Sequence, residues 1–277
     1  MNRRALLGAG LAAAMWAACP ARAAVGGRFV PSRFSVVVRG SGRDVIMIPG
    51  LTAGRDIWND VVAALPGYRY HLVQVAGFAG EPARGNARGP IIAGVAEELS
   101  RYIAASRLTA PAIVGHSMGG TIGMMLAARH PDQLGRLMVV DMLPQPSGLF
   151  GSTPDGAAAT ATLLRNLAST PGGRSFAASV MDFLGDGRQS DPNVVSRVVQ
   201  ELATIDLTAD LRRMRAPVTV VYASPDRREQ AVIDHRFAAA YGASSGIRRV
   251  RVDNSGHMIM VDQPARFRAA LTAFLKR

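Results

Sequence analysis

Residues 111–120 read Pro-Ala-Ile-Val-Gly-His-Ser-Met-Gly-Gly. A short apolar run ends in Gly115-His116-Ser117-Met118-Gly119, with Gly120 directly behind. A serine hydroxyl is a weak nucleophile until a base takes its proton, and that base needs a third group to fix its tautomer. A G-x-S-x-G stretch between a strand and a helix is the setting in which such a serine is held. The turn is tight, and the oxygen stands exposed above the sheet. Residues two positions to either side must be small. The helix that follows points its positive end at the site and helps to stabilise an oxyanion. The chemistry suggested is nucleophilic acyl transfer by Ser117.

Five histidines are candidates for the base. His116 lies inside the turn and cannot reach round to Ser117, which suggests a structural role. His71 falls on a predicted strand, His130 at a helix end beside Pro131, and His235 within a helix. His257 is different. It sits in Asn254-Ser255-Gly256-His257-Met258, a predicted loop between the last strand and the last helix, with Asp262-Gln263-Pro264 following. Two acids follow predicted strands downstream of Ser117. Asp226 lies in Ala223-Ser224-Pro225-Asp226, and Asp141 ends the strand after the elbow helix. Asp253 is too near His257 along the chain and reads as a turn cap.

The elements that must position these groups alternate in type. Strands are predicted at 33–39, 45–48, 70–75, 112–114, 136–141, 218–223 and 248–252. Their residues are apolar and β-branched without alternation. Helices are predicted at 57–65, 91–106, 118–129, 228–241 and 264–276. Within 91–106, Ile92, Val95, Ala96, Leu99 and Ile103 recur at helical spacing. Short apolar strands between helices indicate an α/β fold with a buried, mostly parallel sheet and helices on both faces. From 142 to 211 the rhythm breaks. Three helices are predicted there, near 156–168, 174–184 and 192–202, among proline and glycine punctuation. An all-helical insertion at this point reads as a cap over the strand ends, where open α/β sheets bind ligands.

On these residues the chain resembles the α/β-hydrolase fold family, from about residue 33 to its C-terminus. Gly-His-Ser-Met-Gly-Gly is a frequent elbow in that family, and Gly-His followed by Asp-Gln-Pro matches its histidine segment. The resemblance implies a core over residues 24–141 and 212–277 with a helical cap over 142–211. It implies Ser117 as nucleophile and His257 as base. It implies Asp226 as acid, in the turn after the penultimate strand, although some members use the position of Asp141. The oxyanion hole would come from the backbone N–H groups of Met118 and Leu51, the latter from Ile48-Pro49-Gly50-Leu51. Pro49 stands where the family usually carries histidine. A second departure is Val75-Ala76-Gly77-Phe78-Ala79-Gly80, which lacks the D-x-x-G-x-G-x-S of the peroxidase-like and epoxide-hydrolase branches. Phe78, Phe150 and Phe183 are candidates to line an apolar pocket, or equally to pack within and beneath the cap. The implied activity is hydrolysis of a small-molecule carboxylic ester, with no metal or organic cofactor. An amidase, peptidase or acyltransferase would use the same three residues.

The chain has 277 residues and is 48% hydrophobic and 19% charged, which fits a globular protein and excludes a disordered one. The formal net charge is +12. Lys and Arg are not gathered into a run and no nucleic-acid module is visible, so nucleic acid is not expected as a partner. Residues 1–23 carry Arg3-Arg4, an apolar stretch from Ala5 to Ala18, and Ala21-Arg22-Ala23. That is the order of a cleaved export signal of the Sec or twin-arginine kind, and it predicts a periplasmic or secreted protein. The stretch is too short to span a bilayer comfortably. Cys19, the sole cysteine, falls within it. A lipid anchor there is disfavoured by Trp16, and the mature chain would hold no thiol. Composition is silent on oligomeric state.

Overall fold

The computed structural model describes residues 29–147, 190–242, 244 and 246–276. Among these residues seven strands, β1 (Phe34–Gly40), β2 (Arg43–Ile48), β3 (Tyr68–Val75), β4 (Ala112–His116), β5 (Arg136–Val140), β6 (Val218–Ser224) and β7 (Arg248–Asp253), form one sheet. Its order is β1-β3-β2-β4-β5-β6-β7. Only the β1–β3 pair is antiparallel; the other neighbours run parallel. The helices are α1 (Asn59–Ala64), α2 (Ile92–Ala105), α3 (Met118–Arg129), α4 (Pro192–Thr204), α5 (Gln230–Tyr241), α6 (Ile259–Asp262) and α7 (Pro264–Leu275).

The apolar strands are buried on both faces because successive side chains point to opposite sides of the sheet. Leu137 and Val139 of β5 join one apolar layer with Leu99 of α2, Ile122 of α3, Val198 of α4 and Phe237 of α5. Met138 and Val140 join the other, with Trp58, Val61 of α1, Ile259 of α6 and Phe267 and Leu271 of α7. Parallel strands bring their carboxyl ends to one edge. The turns that carry Leu51, Ser117, Asp141, Asp226 and His257 all emerge there.

Of the three helices predicted between 142 and 211, the first two lie outside the described residues. The third is α4. Asp191 caps it by accepting from the N–H groups of Asn193 and Val194, with Pro192 in its first turn. Val194, Val198, Val199 and Leu202 bury one face in the layer that holds α2 and α3. Polar contacts stitch it to the loop after β3. The Glu201 carboxylate accepts from Ile91 N–H (2.6 Å) and Ile92 N–H (2.8 Å). It thereby supplies from outside the acceptors that the first turn of α2 lacks. Arg197 donates to the Asn86 carbonyl at 2.6 Å. Glu201→Ala leaves both donors unmatched and is expected to lower stability by about 2 kcal/mol. A denaturant midpoint unchanged from the parent protein would contradict this.

Candidate active site

Ser117 joins β4 to α3 at φ +52°, ψ −122°, a conformation costly for any residue with a Cβ. The surrounding backbone holds it there. Ser117 N–H donates to the Val140 carbonyl (2.9 Å), and the Ser117 carbonyl accepts from the N–H groups of Gly120 (2.7 Å) and Thr121 (3.2 Å). The small neighbours are a steric requirement. A Cβ on Gly115 would lie 2.2 Å from the Gly119 carbonyl oxygen, and one on Gly119 would lie 2.3 Å from that of Ile48. The second contact also shows where the loop after β2 runs: directly against the elbow. A Cβ on Gly50 would come within 3.1 Å of the Ser117 Cβ. The structure therefore brings Pro49 and Gly50 against the elbow, with Leu51 next along the same loop. Met118 opens α3, so its N–H is one that the helix leaves without an internal acceptor.

His257 lies buried in the turn between β7 and α6. The Asp-Gln-Pro segment behind it clamps this turn. The Asp262 carboxylate accepts from Gly256 N–H (2.7 Å) and the Gln263 amide donates to the Asn254 carbonyl (2.7 Å). From the other side, Asn254 N–H donates to the Ser224 carbonyl at 2.8 Å.

The carboxylate facing His257 is that of Asp141. Its Oδ2 lies 2.7 Å from His257 Nδ1, and its Oδ1 accepts from Ala223 N–H at 2.9 Å. Asp141 sits just past β5 at φ +50°, with its own N–H on the Val221 carbonyl at 2.7 Å. The expectation that Asp226 fills this position is corrected. Asp226 caps the turn Arg227–Glu229, and its Oδ1 accepts from Arg228 N–H at 2.8 Å. The reason lies in how far the histidine turn folds over the sheet. The His257 ring reaches β4, where its centroid is 4.5 Å from that of His116. The acid flanking that place directly follows β5, the neighbour of β4. Asp226 is one strand further out, and its short carboxylate is used within its own turn.

Tyr241 of α5 supports this corner. Its hydroxyl donates to the Met142 carbonyl at 2.6 Å, one residue beyond Asp141. Burial, reinforced by the Asp141 charge, pushes the Tyr241 phenol well above its usual range, so it remains a donor. Phe78 is fully buried in the apolar layer of α2 and α3. Phe150 and Phe183 lie outside the described residues. Among the described residues no group of three or more His, Cys, Asp or Glu could hold a metal ion, and no helix is long and apolar enough to cross a membrane.

Two buried histidines make the fold sensitive to acid. Burial holds His116 well below the usual histidine range, and the neighbouring His257 adds to this. Burial also lowers His71, against the opposing pull of Asp44, whose Oδ1 lies 2.9 Å from its Nε2. Once unfolded, each ring protonates near pH 6.5, the ordinary value, while burial in the fold disfavours its protonation. Stability present above that pH is therefore lost as the pH falls, by at most about 1.4 kcal/mol per pH unit for each ring. The denaturation midpoint is expected to drop between pH 7 and 5. His71→Asn should flatten that slope, and an equal slope in the variant would contradict the assignment.

A model of the alpha/beta hydrolase family matches residues 45–270. The pimeloyl-[acyl-carrier protein] methyl ester esterase of Aromatoleum aromaticum is 25% identical over 244 residues, covering 80% of this chain and 93% of that protein. The Caulobacter protein assigned as carbamate hydrolase RutD is 27% identical over 248 residues, covering 83% and 90% respectively. Among solved structures, an esterase from Exiguobacterium antarcticum superposes with a TM-score of 0.70 at 19% identity, covering 88% of this chain and 96% of that one.

Proposed function

Because the chain belongs to the alpha/beta hydrolase family and is a hydrolase, we propose that it is an exported serine hydrolase that cleaves a small-molecule carboxylic ester through an acyl-enzyme on Ser117. The observation that carries this is the Asp141–His257 contact at 2.7 Å beside a serine in the strained elbow conformation.

With Nδ1–H donated to Asp141, His257 keeps the lone pair on Nε2 as the base. Ser117 Oγ attacks the ester carbonyl carbon while Nε2 takes its proton. The carbonyl oxygen becomes an oxyanion held by the N–H groups of Met118 and Leu51, and each such donor contributes on the order of 3 kcal/mol at the transition state. Collapse breaks the bond to the alcohol oxygen, which leaves with the proton from Nε2. Water then loses a proton to Nε2 and attacks the acyl-Ser117 carbonyl. Collapse releases the acid and returns the proton to Ser117. Asp141 stays ionised throughout and balances the imidazolium charge.

Ester specificity draws support from the Aromatoleum relative, a methyl ester esterase, and the carbamate hydrolase widens the panel worth testing. Export draws support from Arg3-Arg4, the apolar stretch and Ala21-Arg22-Ala23. The test is a p-nitrophenyl ester series of increasing acyl length, run beside matched amides and carbamates, on protein recovered from the cell envelope. Ester turnover at least tenfold above amide turnover is expected, with a mature N-terminus at Ala24. Preferential amide or carbamate turnover would overturn the ester assignment, and an unprocessed cytoplasmic chain the export assignment.

A further inference from the structure

His116 lies between the two loops the reaction depends on. Its ring is fully buried at the end of β4, immediately before Ser117. One edge faces the histidine turn: Nε2 lies 3.1 Å from the carbonyl oxygen of His257. The other edge faces the loop after β2. A Cβ on Gly50 would lie 2.9 Å from Nδ1 and 3.3 Å from Cε1, so the ring rests on bare Gly50 backbone. Burial keeps the ring neutral. A carbonyl oxygen can only accept, so the single ring proton is on Nε2 and Nδ1 bears a lone pair. Among the described residues that buried lone pair has no hydrogen-bond partner, which costs stability. For packing alone, an apolar side chain would serve at less cost. The donor on the far edge is what a histidine adds.

We propose that His116 is a positioning residue which sets the catalytic base and the oxyanion loop against the nucleophile: its Nε2–H fixes the His257 main chain while its opposite edge supports Gly50. This rests on the reading of Ser117, His257 and Asp141 given above. The His257 ring must present Nε2 to Ser117 while Nδ1 stays on Asp141. The turn that bears it is fastened from behind by Asp262, Gln263 and Ser224, and from the elbow side by His116. The same ring limits how closely Gly50, and with it the Leu51 N–H, approaches Ser117. A displacement of about 1 Å at such a site costs on the order of a hundredfold in rate.

The test compares H116Q with H116M, side chains of similar length of which only Gln carries a donor at the ε position. Kinetics are read with the best ester of the series, and the His257 Nδ1–H proton is followed by NMR in the absence of substrate. H116M is expected to lose kcat by tenfold or more with KM within about threefold, and to weaken or broaden the Nδ1–H resonance. H116Q is expected to recover most of both. Equal losses in H116M and H116Q, or an unaltered kcat in folded H116M, would overturn the proposal. Should H116M not fold, H116Q decides alone. Retention of the resonance and of kcat within about tenfold supports the donor role, and a larger loss of kcat overturns it. If the parent protein turns over no ester, the ester reading has failed. The NMR comparison still decides whether His116 positions His257.

Discussion

Asp141→Asn is expected to lower kcat/KM for ester hydrolysis by on the order of ten-thousandfold, while Asp226→Asn leaves it within about twofold of the parent. The size of the first effect follows from which atoms surround the carboxylate. Oδ1 accepts from the Ala223 N–H and Oδ2 faces His257 Nδ1. An asparagine here must keep its carbonyl oxygen on the Ala223 N–H, because two donors cannot face one another. Its NH2 group then points at His257 Nδ1 and requires a lone pair there. The ring proton moves to Nε2, where a base is needed to take the proton of Ser117. The loss is therefore in kcat, with binding little changed. Asp141 sits at φ +50°, and asparagine tolerates that region well, so the variant should fold. Among the described residues the Asp226 carboxylate accepts from its own turn at Arg228, and asparagine can do the same. A large loss in Asp226→Asn with a small one in Asp141→Asn would reverse the assignment.

That pair of residues marks the limit of what could be read along the chain. Local patterns were legible because they depend on local physics. The spacing of Ile92, Val95, Leu99 and Ile103 predicts a helix over 91–106, and α2 spans Ile92–Ala105. The β-branched runs predict the strands at 45–48 and 218–223, and β2 and β6 are found at Arg43–Ile48 and Val218–Ser224. The elbow is legible for the same reason, since glycine spacing reports a steric demand that Gly115 and Gly119 meet within a few residues. The acid is not a local matter. Asp141 and Asp226 both follow strands, and nothing within either stretch tells where the turn that carries His257, about thirty residues beyond Asp226, comes to rest. That is set by contacts such as His116 with His257, made across 141 residues. The role of His116 was hidden in the same way. Its position inside the elbow rules it out as the base, but its use as a donor depends on the distant turn that covers it. The strand order was equally opaque, because β1 pairs with β3 across the intervening β2.

Ser117→Ala is expected to reduce kcat by on the order of a millionfold, leaving only what the oxyanion donors and binding supply. It should also abolish covalent labelling by a fluorophosphonate. Both outcomes depend on Oγ alone, because alanine keeps the Cβ and so the steric demands of the elbow. The N–H of residue 117 still reaches the Val140 carbonyl, and its carbonyl still accepts from Gly120 and Thr121. The N–H groups of Met118 and Leu51, proposed above as the oxyanion donors, are backbone groups that the substitution leaves unchanged. KM for a good ester should therefore change little while turnover disappears. Loss of binding together with turnover would mean that the elbow had moved and that Oγ was not what had been tested. Ser117→Gly separates the two. At φ +52° a Cβ is strained by about 1–3 kcal/mol, and glycine relieves that strain. The glycine variant should be as inactive as the alanine variant yet melt at a higher temperature. A serine of merely structural importance predicts the opposite order, with stability falling as the side chain is cut back. Persistent fluorophosphonate labelling in either variant would place the nucleophile elsewhere in the chain.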